Sequence, residues 1–126
     1  MPEIAHILCI DDEPDIRTVL TAALRVTLGA EVTAVASARA AFEYLQNNEP
    51  PDVIILDGMM PEMDGVTTCR RLRADPKYCT VPIIFLTGLT RDSERAIEAG
   101  ATACLRKPFD PMSIGSEILS ILGESE

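Results

Sequence analysis

The sequence predicts an α/β fold: an open parallel sheet with helices covering both faces. Three observations predict it. Short apolar runs rich in β-branched residues alternate with amphipathic stretches about five times along the chain. The runs are continuous rather than alternating apolar and polar, as expected for strands buried on both sides. Chemically capable side chains stand where the runs end: Asp11 and Asp12 after Ile7–Ile10, Asp57 after Val53–Leu56, Thr87 after Pro82–Leu86, and Lys107 just past Ala101–Leu105. In such sheets the ligand crevice lies outside the carboxyl ends of the strands, so these five side chains are expected on one rim.

Each element has its own local signals. After the first strand, Pro14 suits the first position of a helix, with Asp12 or Glu13 as its cap. Ile16, Val19, Leu20, Ala23 and Leu24 recur at helical spacing, and Gly29 stops the helix. Glu31 to Ala36 reads as a short second strand. Ser37 caps a helix carrying Ala40, Ala41, Tyr44 and Leu45, which ends before the run Asn47-Asn48-Glu49-Pro50-Pro51. The third strand leads to Asp57 and a loop, Gly58 to Met63. Asp64 then caps a helix with Val66, Cys69 and Leu72, broken at Asp75-Pro76. The fourth strand leads to Thr87, where Gly88 is expected to allow close approach of the chain. Thr90 reads as the cap of a helix ended by Gly100. The last helix is expected from Asp110-Pro111 and carries Met112, Ile118, Leu119, Ile121 and Leu122. No second domain or linker is visible, so the chain reads as a single domain over residues 1–126.

Composition narrows the function. The chain has 126 residues and a formal net charge of −9. A negative field repels phosphate backbones and anionic lipid, which argues against nucleic acid and membrane as direct partners. Arg70, Arg71 and Arg73 form one basic cluster, expected to be a solvated helix face. Four cysteines are scattered without CxxC spacing, and the single His6 cannot complete a zinc set. Free thiols in strand patterns favour a reducing, cytoplasmic setting. The amino-terminal stretch lacks the basic and apolar regions of a signal peptide, and no apolar run approaches the ~18 residues of a membrane span.

The rim residues suggest phosphoryl chemistry. Three carboxylates at Asp11, Asp12 and Asp57 repel one another unless cations offset them or some protonate. A magnesium ion and the Lys107 ammonium together balance three negative charges. Magnesium prefers oxygen ligands and keeps several waters. A phosphoryl group added to Asp57 would find the metal, the ammonium and the Thr87 hydroxyl as partners. Phosphoryl transfer needs mainly such positioning and charge stabilisation. Asp57 would then act as the nucleophile, forming an aspartyl phosphate. Pro108 follows Lys107, and the sequence leaves both isomers of that peptide bond open.

The chain resembles the receiver domain of two-component response regulators. The resemblance rests on Ile10-Asp11-Asp12-Glu13-Pro14, on Asp52 through Asp57 to Asp64-Gly65, on Pro82-Ile83-Ile84-Phe85-Leu86-Thr87-Gly88 and on Gly100 through Lys107-Pro108-Phe109. These stretches span nearly the whole chain. The resemblance implies a flavodoxin-like, doubly wound (βα)5 arrangement with strand order 2-1-3-4-5. It implies that Asp57 accepts phosphate from the phosphohistidine of a histidine kinase or a histidine phosphotransfer protein. Asp11, Asp12, Asp57 and the Met59 carbonyl would hold Mg²⁺, for which Mn²⁺ can substitute, and Thr87 and Lys107 would bind the phosphoryl group. It further implies a downstream effector protein and allows a phosphorylation-dependent homodimer. Such a domain is a signalling phosphoacceptor, not a turnover enzyme. In the family, the first helix with Pro108 and Phe109 faces the kinase, and the fourth helix, fifth strand and fifth helix carry the signal.

One departure stands out. Many family members carry an aromatic residue three positions before the lysine, where this chain has Cys104. A thiol cannot swing a ring, so an altered readout is expected. Two rival readings remain. A pseudo-receiver would share the fold and bind partners without being phosphorylated; the full set of Asp11, Asp12, Asp57, Thr87 and Lys107 argues against it. A haloacid-dehalogenase-like phosphatase would place a second Asp two residues after the first, where this chain has Met59.

Overall fold

The computed structural model describes residues 4–58, 64–88 and 90–125. Five parallel strands form one sheet in the order β2-β1-β3-β4-β5. They are β1 (His6–Ile10), β2 (Glu31–Val35), β3 (Val53–Asp57), β4 (Ile83–Thr87) and β5 (Ala103–Arg106). Helices follow them in turn: α1 (Pro14–Leu28), α2 (Ala38–Asn47), α3 (Gly65–Ala74), α4 (Thr90–Glu98) and α5 (Ile114–Ser125). This is the doubly wound, flavodoxin-like order expected from the resemblance.

The central strands explain the continuous apolar runs. Every residue of β3 and β4 is buried. Successive side chains point to opposite faces, so each run feeds two cores. Leu8, Ile10, Ile54, Leu56, Ile83 and Phe85 pack with Ala41, Leu45, Val66, Cys69, Leu72 and Ala96 from α2, α3 and α4. Ile7, Cys9, Val53, Ile55, Ile84 and Leu86 pack with Leu20 and Leu24 of α1 and with Ile114, Ile118 and Leu122 of α5. Each fully buried Ile or Leu contributes roughly 1.5–3 kcal/mol. With few aromatic residues, these aliphatic layers hold the sheet.

The registers bring the strand ends level. Ile10 pairs with Leu56 and Asp57 with Leu86, so the chain leaves β1, β3 and β4 on the same side. Caps set the helix starts. Ser37 accepts a hydrogen bond from Ala40 N at 3.1 Å. Asp64 accepts one from Thr67 N at 2.8 Å, and that bond holds its carboxyl below the usual range against the opposing effect of burial. Gly29 closes α1 in the left-handed region at φ 65°, as its position predicts.

Four details depart from the sequence reading. Helix α5 begins at Ile114 rather than at Pro111, because residues 111–113 form a turn in which Asp110 Oδ1 accepts from Met112 N at 2.9 Å. Thr90 is the first residue of α4 rather than its cap. Gly88 has open space where a Cβ would sit; close approach falls instead on Gly58 and Gly65. Finally, Arg73 does not share the exposed face of Arg70 and Arg71. It turns inward and donates to backbone carbonyls of the α3–β4 connection and of Gly100.

Candidate functional site

The rim is assembled from four chain segments. Asp11 follows β1 directly, and its amide donates to Val35 O at 3.1 Å, which extends the pairing with β2 by one residue. Its side chain is buried, and Oδ1 accepts from Glu13 N at 2.9 Å. Arg17 Nη1 donates to the Asp11 carbonyl at 2.8 Å and fixes this turn to α1. Asp57 is the last residue of β3 and is buried. Thr87, the last residue of β4, is buried too, and its carbonyl accepts from Lys107 N at 3.0 Å. Lys107 follows β5 through that bond, and the Lys107–Pro108 peptide is cis.

Lys107 reaches back across the rim. Its ammonium donates to Asp57 Oδ1 at 3.1 Å and stands 3.5 Å from Asp11 Oδ2 and 3.7 Å from Glu13 Oε1. Burial alone would lower the pKa of this ammonium. The hydrogen bond and charge of Asp57, with the charges of Asp11 and Glu13, outweigh burial and raise it. Lys107 is therefore a permanent cation at neutral pH.

One ammonium does not balance the acids around it. Oxygens of Asp11, Asp12, Glu13 and Asp57 all lie within 4.8 Å of one another. Asp11 Oδ2 is buried and accepts no hydrogen bond among the described residues, although Lys107 stands nearby. A buried carboxylate oxygen without a donor is costly and fits a cation ligand. The donor set is all oxygen, the chemistry of a hard divalent ion. Met59, whose carbonyl the resemblance adds to this set, lies outside the described residues.

Packing beneath Asp57 is tight. A Cβ on Gly65 would meet Asp57 O at 2.7 Å and Gly58 Cα at 2.9 Å, and one on Gly58 would meet the Phe85 ring at 2.5 Å. The start of α3 thus sits against the backbone that presents Asp57, with Phe85 as the floor. A side chain at Gly65 would push directly on the Asp57 peptide.

The sequence reading gathered Asp11, Asp12, Asp57, Thr87 and Lys107; the structure brings Asp11, Asp12, Asp57 and Lys107 together, with Thr87 buried at the end of the neighbouring strand β4. It read Glu13 only as a helix cap; the run of three acids was the signal that more was present. Cys104 lies half-buried on β5 and its thiol donates to Ser93 O of α4 at 3.6 Å. Cys69 donates to Ala99 O at 3.6 Å. Burial pushes both thiols up, and burial with the nearby Asp11 pushes Cys9 up to about 12. Protonated thiols of this kind are poor nucleophiles, which argues against redox chemistry at Cys104.

A parallel sheet of order 2-1-3-4-5 whose carboxyl rim joins an acid cluster to a lysine is a flavodoxin-like α/β domain with a charged ligand rim. The chain belongs to the response regulator receiver domain family, whose model matches residues 7–119. Response regulator Rre1 from Synechocystis sp. is 34% identical over 128 residues, covering all of this chain and 55% of that protein. The chemotaxis response regulator CheY4 of Vibrio cholerae superposes with a TM-score of 0.86 at 32% identity, covering 94% of this chain and 98% of that one. The signal receiver domain of a signal transduction histidine kinase from Syntrophus aciditrophicus gives 0.85 at 35% identity, covering 97% and 92%. The chain spans about half the length of the first curated relatives it matches, 55% in Rre1.

Proposed function

We propose that this chain is a phosphoacceptor receiver domain of a two-component or phosphorelay system. The observation that carries the reading is the Lys107 ammonium, 3.1 Å from Asp57 Oδ1 among four carboxylates. In the reaction, an Asp57 oxygen attacks phosphorus on a phosphohistidine of a histidine kinase or histidine phosphotransfer protein. The P–N bond breaks, a P–O bond forms, and the histidine nitrogen leaves with the electron pair and takes a proton. Lys107 and Thr87 hold the phosphoryl oxygens. Asp11, Asp12 and Asp57, with the Met59 carbonyl, would hold Mg²⁺ or Mn²⁺, which would supply positive charge beside the phosphoryl group. The domain promotes only its own phosphorylation and dephosphorylation, so it signals rather than turns over a substrate. Its setting is cytoplasmic, in keeping with free thiols and with no described helix long and apolar enough to cross a membrane. Downstream, it engages an effector protein, with homodimerisation on phosphorylation as one form of output.

The direct test is phosphoryl incorporation from acetyl phosphate with Mg²⁺ and with EDTA. Incorporation with metal alone supports the reading. No incorporation with metal contradicts it and favours a purely binding role.

Magnesium is expected to stabilise the unphosphorylated chain. Binding to the native state alone adds about 2.7 kcal/mol at metal concentrations near 100 Kd. The melting temperature should rise with millimolar Mg²⁺, and Asp12→Ala should remove most of the rise. An unresponsive melting temperature would count against the metal site.

Phosphorylation is expected to act through α4. Among its residues with described side chains, only Ala96 is buried, and Ile97 is 51% exposed. Little apolar area pins the helix, so its opening free energy is low. Thr87 lies three residues before it, and Cys104 contributes a single thiol hydrogen bond in place of a ring. Hydrogen exchange across residues 90–99 should change on adding a beryllofluoride mimic of the phosphoryl group. Equal protection in both states, with changes confined to another face, would refute this.

A further inference from the structure

Glu13 has a backbone role and a side chain that does something else. It is the N-cap of α1, yet its side chain makes no capping hydrogen bond. Its carboxylate instead lies 3.7 Å from Lys107 Nζ and joins the cluster of Asp11, Asp12 and Asp57. Asp11 and Asp57 are buried, whereas the Glu13 side chain is 61% exposed. Lys107 therefore has buried partners on its inner side and one solvent-facing partner at the mouth of the site. Phosphoryl donors are anions, so an exposed carboxylate within the cluster around Asp57 opposes their approach.

Resting on the phosphoacceptor reading, we propose that Glu13 is a specificity-determining residue that screens donors by charge. Its carboxylate holds the Lys107 ammonium toward the rim and repels free anionic phosphate compounds. Small metabolic phosphodonors are thereby slowed, while a docked protein donor offsets the repulsion with its own contacts. Because Glu13 is exposed, the effect is modest and sensitive to salt. The same charge draws divalent cations toward the cluster.

The test compares the full chain as wild type, Glu13→Gln and Glu13→Asp, at saturating Mg²⁺ with acetyl phosphate as donor. Ionic strengths of about 0.1 M and about 1 M shorten the screening length from about 10 Å to about 3 Å. Glu13→Gln should raise the second-order rate of phosphorylation about threefold at the lower salt, the scale of one exposed charge. The gain should lie in a lower apparent KM, leave the maximal rate unchanged and vanish at the higher salt. Glu13→Asp should stay near wild type. Equal rates for Glu13→Gln and wild type at low salt would overturn the proposal, as would a gain that persists at high salt or lies in the maximal rate. A second arm titrates Mg²⁺ against the melting temperature without donor. There Glu13→Gln should bind Mg²⁺ about threefold more weakly at low salt and equally at high salt. If the wild type takes no phosphoryl group, the phosphoacceptor reading fails. The titration then decides the charge role of Glu13 by itself, and an unchanged affinity overturns it.

Discussion

Asp57→Asn is expected to lower phosphoryl incorporation by at least about 10³-fold, below detection in most assays. The amide is nearly isosteric with the carboxylate, so the fold should persist. It is a far poorer nucleophile. The thermal response separates this from general damage. Without metal, the variant removes one of four crowded carboxylates, which favours stability, but also the 3.1 Å partner of Lys107, which opposes it. Asp11 and Glu13 still pair with the ammonium, and Asp12 remains in the cluster. The melting temperature should therefore equal or exceed that of wild type without metal, and rise less with Mg²⁺. Phosphorylation at the wild-type rate would show that another residue accepts the group.

Arg73→Ala is expected to cost about 3 kcal/mol and to lower the melting temperature by about 10 °C. The guanidinium donates to Gly100 O at 2.8 Å, Val81 O at 2.6 Å, Cys79 O at 3.2 Å and Tyr78 O at 3.3 Å, with Thr102 Oγ1 at 3.4 Å. Its stem packs where a Cβ on Gly100 would sit, 2.6 Å from Arg73 Cγ. One side chain thus ties the end of α3 to the connection before β4 and to the joint between α4 and β5. Removing it strands several carbonyls at once. Lysine keeps the charge but lacks the forked donors, so Arg73→Lys should recover less than half of the loss. Arg70→Ala, on the exposed face, should be nearly neutral. Urea or thermal unfolding of the three variants checks this. A loss below about 1 kcal/mol for Arg73→Ala would return Arg73 to the solvated face.

The contrast between Asp57 and Arg73 shows what a sequence carries. Asp57 was legible because a buried strand announces itself by composition, and a carboxylate at its carboxyl end has few bland roles. The strand ends at Asp11, Thr87 and Lys107 were legible for the same reason. Arg73 was not, because its partners are backbone carbonyls, one of them 27 residues away, and carbonyls leave no mark in the residue types. Glu13 was hidden by a sufficient local explanation: an acid at a helix start is ordinarily a cap. The start of α5 was misread because Asp110-Pro111 is equally the signature of a turn, and the chain makes the turn first. Close approach was assigned to Gly88 from its neighbour Thr87, whereas Gly58 and Gly65 lie together against Phe85 only once β3, β4 and α3 are packed.

The central claim is that Asp57 carries the phosphoryl group. The most direct measurement is to phosphorylate the chain with acetyl phosphate and Mg²⁺, reduce the acyl phosphate with borohydride, and locate the reduced residue by peptide mass mapping. The account predicts one modified residue, homoserine in place of Asp57, absent when Mg²⁺ is chelated. Modification at Asp11, Asp12 or Glu13 instead, or an unmodified Asp57 in a chain that has gained a phosphoryl group, would contradict it.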